Sequence, residues 1–186
     1  MIVGIDEVGR GCWAGPVVAG AVLLTQPVAG LKDSKKLSAR QREKLAAAVY
    51  ASGAAVGLGW VTPAEVDDVG LTQAVRLAME RALEQIAVPN QEIIIDGNLN
   101  FLAHVPRSSA LIKADDSVPA VSAASIVAKV ARDAYMAELA VQFPQYGFEK
   151  HVGYGTALHR AALLEHGVSE HHRKSYKPIR VLLQAE

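Results

Sequence analysis

Four acidic positions have the types and placement to do chemistry. Asp6 and Glu7 stand side by side after the apolar run 2–5, Asp96 closes a second run at 92–95, and Asp115 precedes the longest helical stretch. Carboxylates at the ends of central strands gather at a sheet edge, where open α/β sheets bind ligands. Gathered there without cations, they would repel and each would hold its proton more tightly. A divalent cation removes that conflict. The ligands would all be oxygen and no Cys/His cluster shows zinc spacing, so Mg²⁺ or Mn²⁺ is expected rather than zinc. Plainer roles exist for some of these acids. Asp96-Gly97-Asn98 would also make a tight turn, and Asp115 with Asp116 would favour the start of the next helix through its dipole. The Asp6–Glu7 pair resists such an account, because burying adjacent acids is costly unless something neutralises them. Alternation in a regular strand points the two to opposite faces. Joint ligation therefore requires the chain to leave strand geometry at Glu7, and Gly9-Arg10-Gly11 supplies the means.

The elements that must position these residues are legible in outline. The run 2–5 fits a buried strand ending at Asp6, and 15–24 (GPVVAGAVLL) is the next strand after a Gly-rich turn. Residues 38–52 predict a helix with Ser38 as N-cap and Leu45, Ala48 and Val49 on one face. A third strand is expected over 54–61, weakened by Gly57 and Gly59. Thr62, Pro63 and Glu65 mark a helix start, and helical periodicity runs over 71–86. Residues 92–95 and 110–113 complete the strands, 119–143 is the longest helix, and one or two further helices follow Gly155. Strands and helices interleave, and the first two strands form a hairpin-like pair, so the class is α/β with a mixed sheet.

Composition bounds the setting. The chain has 186 residues, 51% hydrophobic and 20% charged, which suits one globular domain and excludes disorder. Cys12 is the single cysteine, which excludes an intramolecular disulfide and fits a reducing compartment. The N-terminus lacks the pattern of a signal peptide. No apolar run approaches the roughly 20 residues that span a bilayer. A soluble, cytoplasmic protein is expected. Net charge is zero, with 19 basic and 19 acidic residues, which by itself disfavours nucleic acid. Distribution says more than the sum. Lys32, Lys35, Lys36, Arg40 and Arg42 cluster against Asp33, and Lys150, Arg160, Arg173, Lys174, Lys177 and Arg180 outnumber Glu165 and Glu170.

Five stretches together resemble the ribonuclease HII family, the bacterial type 2 ribonucleases H. They are GIDEVGRG (4–11), DSKKLS (33–38), IIIDGN (93–98), KADDSVPAVSAASIVAKVARD (113–133) and HVGYGT (151–156), and they span nearly the whole chain in the family's order. The resemblance implies a ribonuclease H-like fold: a five-stranded mixed sheet flanked by helices, with a helical C-terminal extension over the active site. It implies one catalytic domain over 1–186, with residues from about 144 to 186 as the substrate-binding extension. Asp6, Glu7, Asp96 and Asp115 match the family's metal-binding acids. Asp115 directly follows Lys113-Ala114, which stands for the family's Lys-Gly or Lys-Ala; Asp116 is the alternative. Two Mg²⁺ ions roughly 4 Å apart on such ligands would clamp the scissile phosphate, one activating water and the other stabilising the departing 3′-oxygen. None of the six histidines has to act as base. The implied substrates are RNA–DNA hybrids and DNA duplexes with embedded ribonucleotides, cut to give 5′-phosphate and 3′-hydroxyl ends.

Something must then read the 2′-hydroxyl. The resemblance assigns this to Gly9-Arg10-Gly11, whose backbone can approach a ribose closely, and it places Tyr154 on the sugar of the next nucleotide. Lys35, Lys36, Lys113 and the basic residues around Arg173 and Lys174 become expected phosphate contacts. A monomer is expected. Cys12-Trp13 departs from the Pro-Leu or similar pair that often follows GRG in the family. The chain begins almost at its first strand, which argues against ribonuclease HIII, where a substrate-binding domain precedes the same core. Other readings are a junction resolvase of the same architecture, an inactive nucleic-acid-binding module, and a sugar- or nucleotide-binding protein of similar topology. The module would have lost a ligand acid, and all four are present. The nucleotide-binding protein would show a Gly-rich loop opening a helix, whereas Gly9 and Gly11 lead towards a strand.

Overall fold

The computed structural model describes residues 1–87 and 90–184. Its strands are β1 (Ile2–Val8), β2 (Val17–Leu23), β3 (Ala55–Val61), β4 (Glu92–Asp96) and β5 (Ser108–Leu111), joined in one sheet of order β3-β2-β1-β4-β5. Helices α1 (Ala39–Ala51), α2 (Pro63–Val69) and α3 (Leu71–Leu83) precede β4. After β5 come α4 (Ala114–Ser117), α5 (Pro119–Gln142), α6 (Phe148–His151), α7 (Ala157–His166) and α8 (Lys177–Leu183). β1 lies at the centre, antiparallel to β2 and parallel to β4. This is the mixed five-stranded α/β sheet and helical C-terminal part that the sequence leads one to expect. Among the described residues no helix is long and apolar enough to cross a membrane.

Side-chain alternation sorts the sheet into two faces. Val3, Ile5, Ile93 and Ile95 pack with Val75, Ala78 and Met79 of α3. Gly4 and Gly20 lie against α5 on the other face. A Cβ on Gly4 would come 2.1 Å from the Ala120 carbonyl carbon, and one on Gly20 2.5 Å from the Ala124 oxygen. On the α3 side, Gly57 and Gly59 play the same part: their Cβ atoms would meet the Ala82 and Ala78 carbonyl oxygens at 2.0 and 1.9 Å. The two glycines that weaken β3 by propensity are therefore what lets α3 lie close on it. Ala74, Ala78 and Ala82 are fully buried along that helix.

Local signals set several boundaries. Ser38 caps α1 and Thr62 caps α2, each in a capping box, with Gln41 and Glu65 respectively. Gly70, at φ 78°, separates α2 from α3. Two strand expectations need correction. The fifth strand occupies Ser108–Leu111 rather than 110–113. β1 does not end at Asp6 but runs on to Val8, with Glu7 paired opposite Ala19. The antiparallel ladder to β2 carries it past the point where its apolar run stops.

Candidate active site

The continuation of β1 decides where its two acids go. Asp6 shares the parity of Gly4 and faces α5, whereas Glu7 follows Val3 and Ile5 towards the other face. Ile5 pairs with Ile95 across the parallel ladder, which brings Asp6 beside Asp96. α4 presents Asp115 on the same side, its N–H 3.4 Å from an Asp96 carboxylate oxygen. Asp6, Asp96 and Asp115 each offer an oxygen, and these oxygens all lie within 4.8 Å of one another. Glu7 is outside that trio. It lines the same solvent-open cleft as Asp6.

The electrostatics of this group are those of an acid cluster short of cations. Burial, then the charges of Glu7 and Asp96, push the Asp6 carboxyl up to about 8, against the opposing hydrogen bond from Ser125. Burial also raises Glu7, opposed by the Arg10 guanidinium 3.1 Å away. Asp115 is raised by burial and by Asp96 and Asp33, with Lys35 opposing from 3.8 Å. The second Glu7 oxygen, Oε2, is buried and has no hydrogen-bond partner among the described residues. The three converging carboxylates would suit a hard divalent cation, and the orphaned Glu7 acceptor lines the same cleft as Asp6. The residues fit an Mg²⁺ or Mn²⁺ site. Asp116 lies apart from it, its carboxylate 2.7 Å from the Lys36 ammonium.

The sequence-predicted substrate residues divide. Gly9 sits at φ 92°, and a Cβ there would come 2.4 Å from the Arg132 Nε. Gly11 lies under Tyr154: a Cβ on it would be 3.8 Å from the tyrosine Cε1. Gly9, Arg10, Gly11, Lys35 and Tyr154 all line the cleft that holds Asp6 and Glu7. Lys113, in the left-handed region at φ 59°, lies with Asp96 and Asp115 in the adjoining hollow. Lys36 is there too but already paired to Asp116. Arg173 needs correction as a phosphate contact. It is fully buried and donates to the carbonyl oxygens of Gly15 and Arg10 at 2.8 and 3.0 Å. It holds the Gly-rich loop from beneath.

Sequence reasoning missed residues that the fold adds. Arg132, also fully buried, donates to the carbonyls of Pro16, Ala14 and Val152. Ser125 hydrogen-bonds Ser34 at 2.9 Å, and Ser125 and Lys129 both enter the cleft wall beside Asp6. A signal existed: Ser122, Ser125, Lys129 and Arg132 recur at steps of three and four along an otherwise apolar helix, which makes one polar stripe.

The ribonuclease HII family model matches residues 3–179. The chain belongs to the ribonuclease HII family. It is 47% identical to the ribonuclease HII of Thermosynechococcus vestitus, over all of this chain and 86% of the relative. The ribonuclease H2 of Pyrococcus horikoshii superimposes with a TM-score of 0.86 at 26% identity, over 99% of this chain and 97% of that one. The fold is also shared with Bst-RNase HIII, solved in complex with Mn²⁺, at a TM-score of 0.73 and 21% identity over 99% and 69% of the two chains. Membership of the ribonuclease HII family makes this chain a metal-dependent ribonuclease H, a hydrolase, and its fold ribonuclease H-like.

Proposed function

We propose that this ribonuclease H cleaves the RNA strand of RNA–DNA hybrids and incises duplex DNA on the 5′ side of an embedded ribonucleotide, leaving 5′-phosphate and 3′-hydroxyl ends. The observation that carries this reading is one cleft in which Asp6 and Glu7 meet the Gly9-Arg10-Gly11 loop and Tyr154. Asp6, Glu7, Asp96 and Asp115 would hold two divalent ions. Bound there, Mg²⁺ or Mn²⁺ supplies a polarised water nucleophile and charge stabilisation for the departing oxygen. Mn²⁺ is a fitting first ion to test, since Bst-RNase HIII takes it.

The chain's own residues do the rest. The Gly11 backbone is exposed to a ribose, with the buried Gly9 turning the loop behind it, and a 2′-hydroxyl there can both donate and accept. Tyr154, partly exposed beside Gly11, offers its ring to the following sugar. The helical part from residue 144 onward, which contributes Tyr154, serves as the substrate-binding extension of one catalytic domain. Lys35 and Lys113 stand at the acid cluster's rim as phosphate contacts, and Lys36 would exchange Asp116 for a phosphate. Lys174 completes the set, and the protein acts as a monomer. The test is cleavage of three duplexes under Mg²⁺ and Mn²⁺ titration: DNA with one ribonucleotide, a uniform hybrid, and DNA alone. Cuts 5′ to the single ribonucleotide with 3′-hydroxyl ends are expected, and no cutting of DNA alone. Failure to cut the single-ribonucleotide duplex with either ion would overturn the reading.

A further inference from the structure

Three histidines lie buried in the C-terminal helical part: His151, His159 and His172, at 6%, 0% and 1% exposure. None lines the active-site cleft. Their hydrogen bonds fix every ring proton. The His159 Nδ1 is 2.9 Å from the Tyr154 carbonyl oxygen, which only accepts, so Nδ1 carries the proton and Nε2 is left as an acceptor. The His172 Nε2 faces that acceptor at 3.0 Å and must donate. Its Nδ1 then accepts, and the Ser169 N–H supplies a proton at 3.0 Å. His151 fits the same logic, donating from Nε2 to the Tyr146 carbonyl and accepting at Nδ1 from the Gly153 N–H. Two neutral imidazoles in series thus run from Ser169 to the main chain of Tyr154.

The segment they reach is held under strain. Val152 adopts φ 44°, in a region that a β-branched side chain disfavours. Such residues persist where their surroundings over-determine them. Here the Val152 carbonyl accepts from Arg132, the Gly153 carbonyl from the Trp13 N–H at 2.8 Å, and the Tyr154 N–H donates to the His151 carbonyl at 2.9 Å. The Tyr154 peptide is gripped on both sides. His172 is also followed by Arg173, whose guanidinium holds the Arg10 and Gly15 carbonyls. Adjacent residues therefore reach both walls of the cleft, the Gly-rich loop through Arg173 and the tyrosine through His172 and His159.

We propose that the His172–His159 pair is a positioning relay that sets Tyr154 above Gly11, and so sets how well the enzyme engages a single ribonucleotide embedded in DNA. The inference rests on the reading of Tyr154 as the residue that packs on the neighbouring sugar. Neither histidine touches substrate; both act through the tyrosine main chain. Removing the Nδ1 donor leaves the Tyr154 carbonyl with the Thr156 N–H alone, at 2.8 Å, and so loosens the tyrosine over Gly11, which weakens binding of the embedded substrate without altering the acids.

The test compares His159→Gln, whose amide falls near Nε2 and abandons the Tyr154 carbonyl, with His159→Asn, whose amide nitrogen can replace the Nδ1 donor. In His159→Gln, KM for duplex DNA with one ribonucleotide should rise about tenfold relative to the uniform hybrid, with kcat within about threefold. His159→Asn should recover most of that loss, a rescue that mere packing would not give. Tyr154→Ala separates the two layers. If it raises the same KM and His159→Gln does not, the relay is overturned; if it leaves that KM unchanged, the reading of Tyr154 itself falls. Nitrogen-15 NMR of the unmutated protein at neutral pH gives a check independent of any variant's folding. His159 should be protonated at Nδ1 and His172 at Nε2, and the opposite tautomer on either ring would overturn the proposal.

Discussion

A buried carboxyl pushed up to about 8 in the absence of a cation has a position set by something other than stability. Asp6 is that residue, and Asp6→Asn separates its two consequences. Cleavage should fall by on the order of 10²-fold or more if, as proposed, Asp6 is a ligand to the catalytic ions. The metal-free melting temperature should rise at neutral pH, because the fold no longer has to hold protonated a buried carboxyl that the unfolded chain ionises freely. In the unmutated protein, Mn²⁺ at a hundred times its Kd should stabilise the fold by about 2.7 kcal/mol, and Asp6→Asn should shrink that gain. Calorimetry with and without Mn²⁺ reads both effects. A substitution that lowers metal-free stability by several degrees, or keeps turnover, would contradict the geometry. Glu7 differs in kind. Its Oε1 pairs with the exposed Arg10, and its buried Oε2 has no partner among the described residues.

At the scale of elements, the spacing of sheet and helix is set by missing side chains. Gly59→Ala would drive a methyl group into the Ala78 carbonyl and should cost roughly 1–3 kcal/mol, read as a lower urea midpoint with an unchanged slope. An unaltered midpoint would mean that α3 gives way freely. The same contact shows what the sequence could and could not tell. Apolar runs ending in Asp6 and Asp96 were legible as strands delivering acids, because burial and period are local properties. Ser38 and Thr62 were legible as caps for the same reason. The glycines of β3 read as weakness because their partner, α3, lies elsewhere in the chain. Glu7 was expected to leave the strand because its pairing with Ala19 depends on a second strand. Lys36 and Arg173 looked like surface cations, and only the fold reveals that one meets Asp116 and the other lies beneath the Gly-rich loop. Charge is visible in a sequence, but its partner is not.

For the molecule as a whole, the buried histidines couple stability to acidity. Burial holds His159 down to about 4 and His172 to about 3, against an ordinary value of 6.5. Around them stand His151, Tyr146 and Phe148, and no carboxylate among the described residues pairs with either ring. Above pH 6.5 both states of the protein keep these rings neutral, and their contribution is fully present. As pH falls below that value, the unfolded chain takes up protons that the folded one refuses, so stability is lost down towards pH 4 and then 3. Each ring should cost on the order of 1–2 kcal/mol by pH 5. Urea unfolding at pH 7 and pH 5 should show the loss, and His172→Gln should reduce it; an equal loss in both proteins would place its origin elsewhere. Arg132 and Arg173 add a different property at this scale. They are interior positive charges facing loop carbonyls, with no acid paired to them among the described residues. Dissolved ions screen exposed lysines such as Lys35 within a few ångströms at high ionic strength, but they reach charges sealed in protein far less. Two positive charges therefore stay fixed beneath the Gly-rich loop of this electrically neutral chain in brine, after its outer attraction for a polyanion has been stripped away.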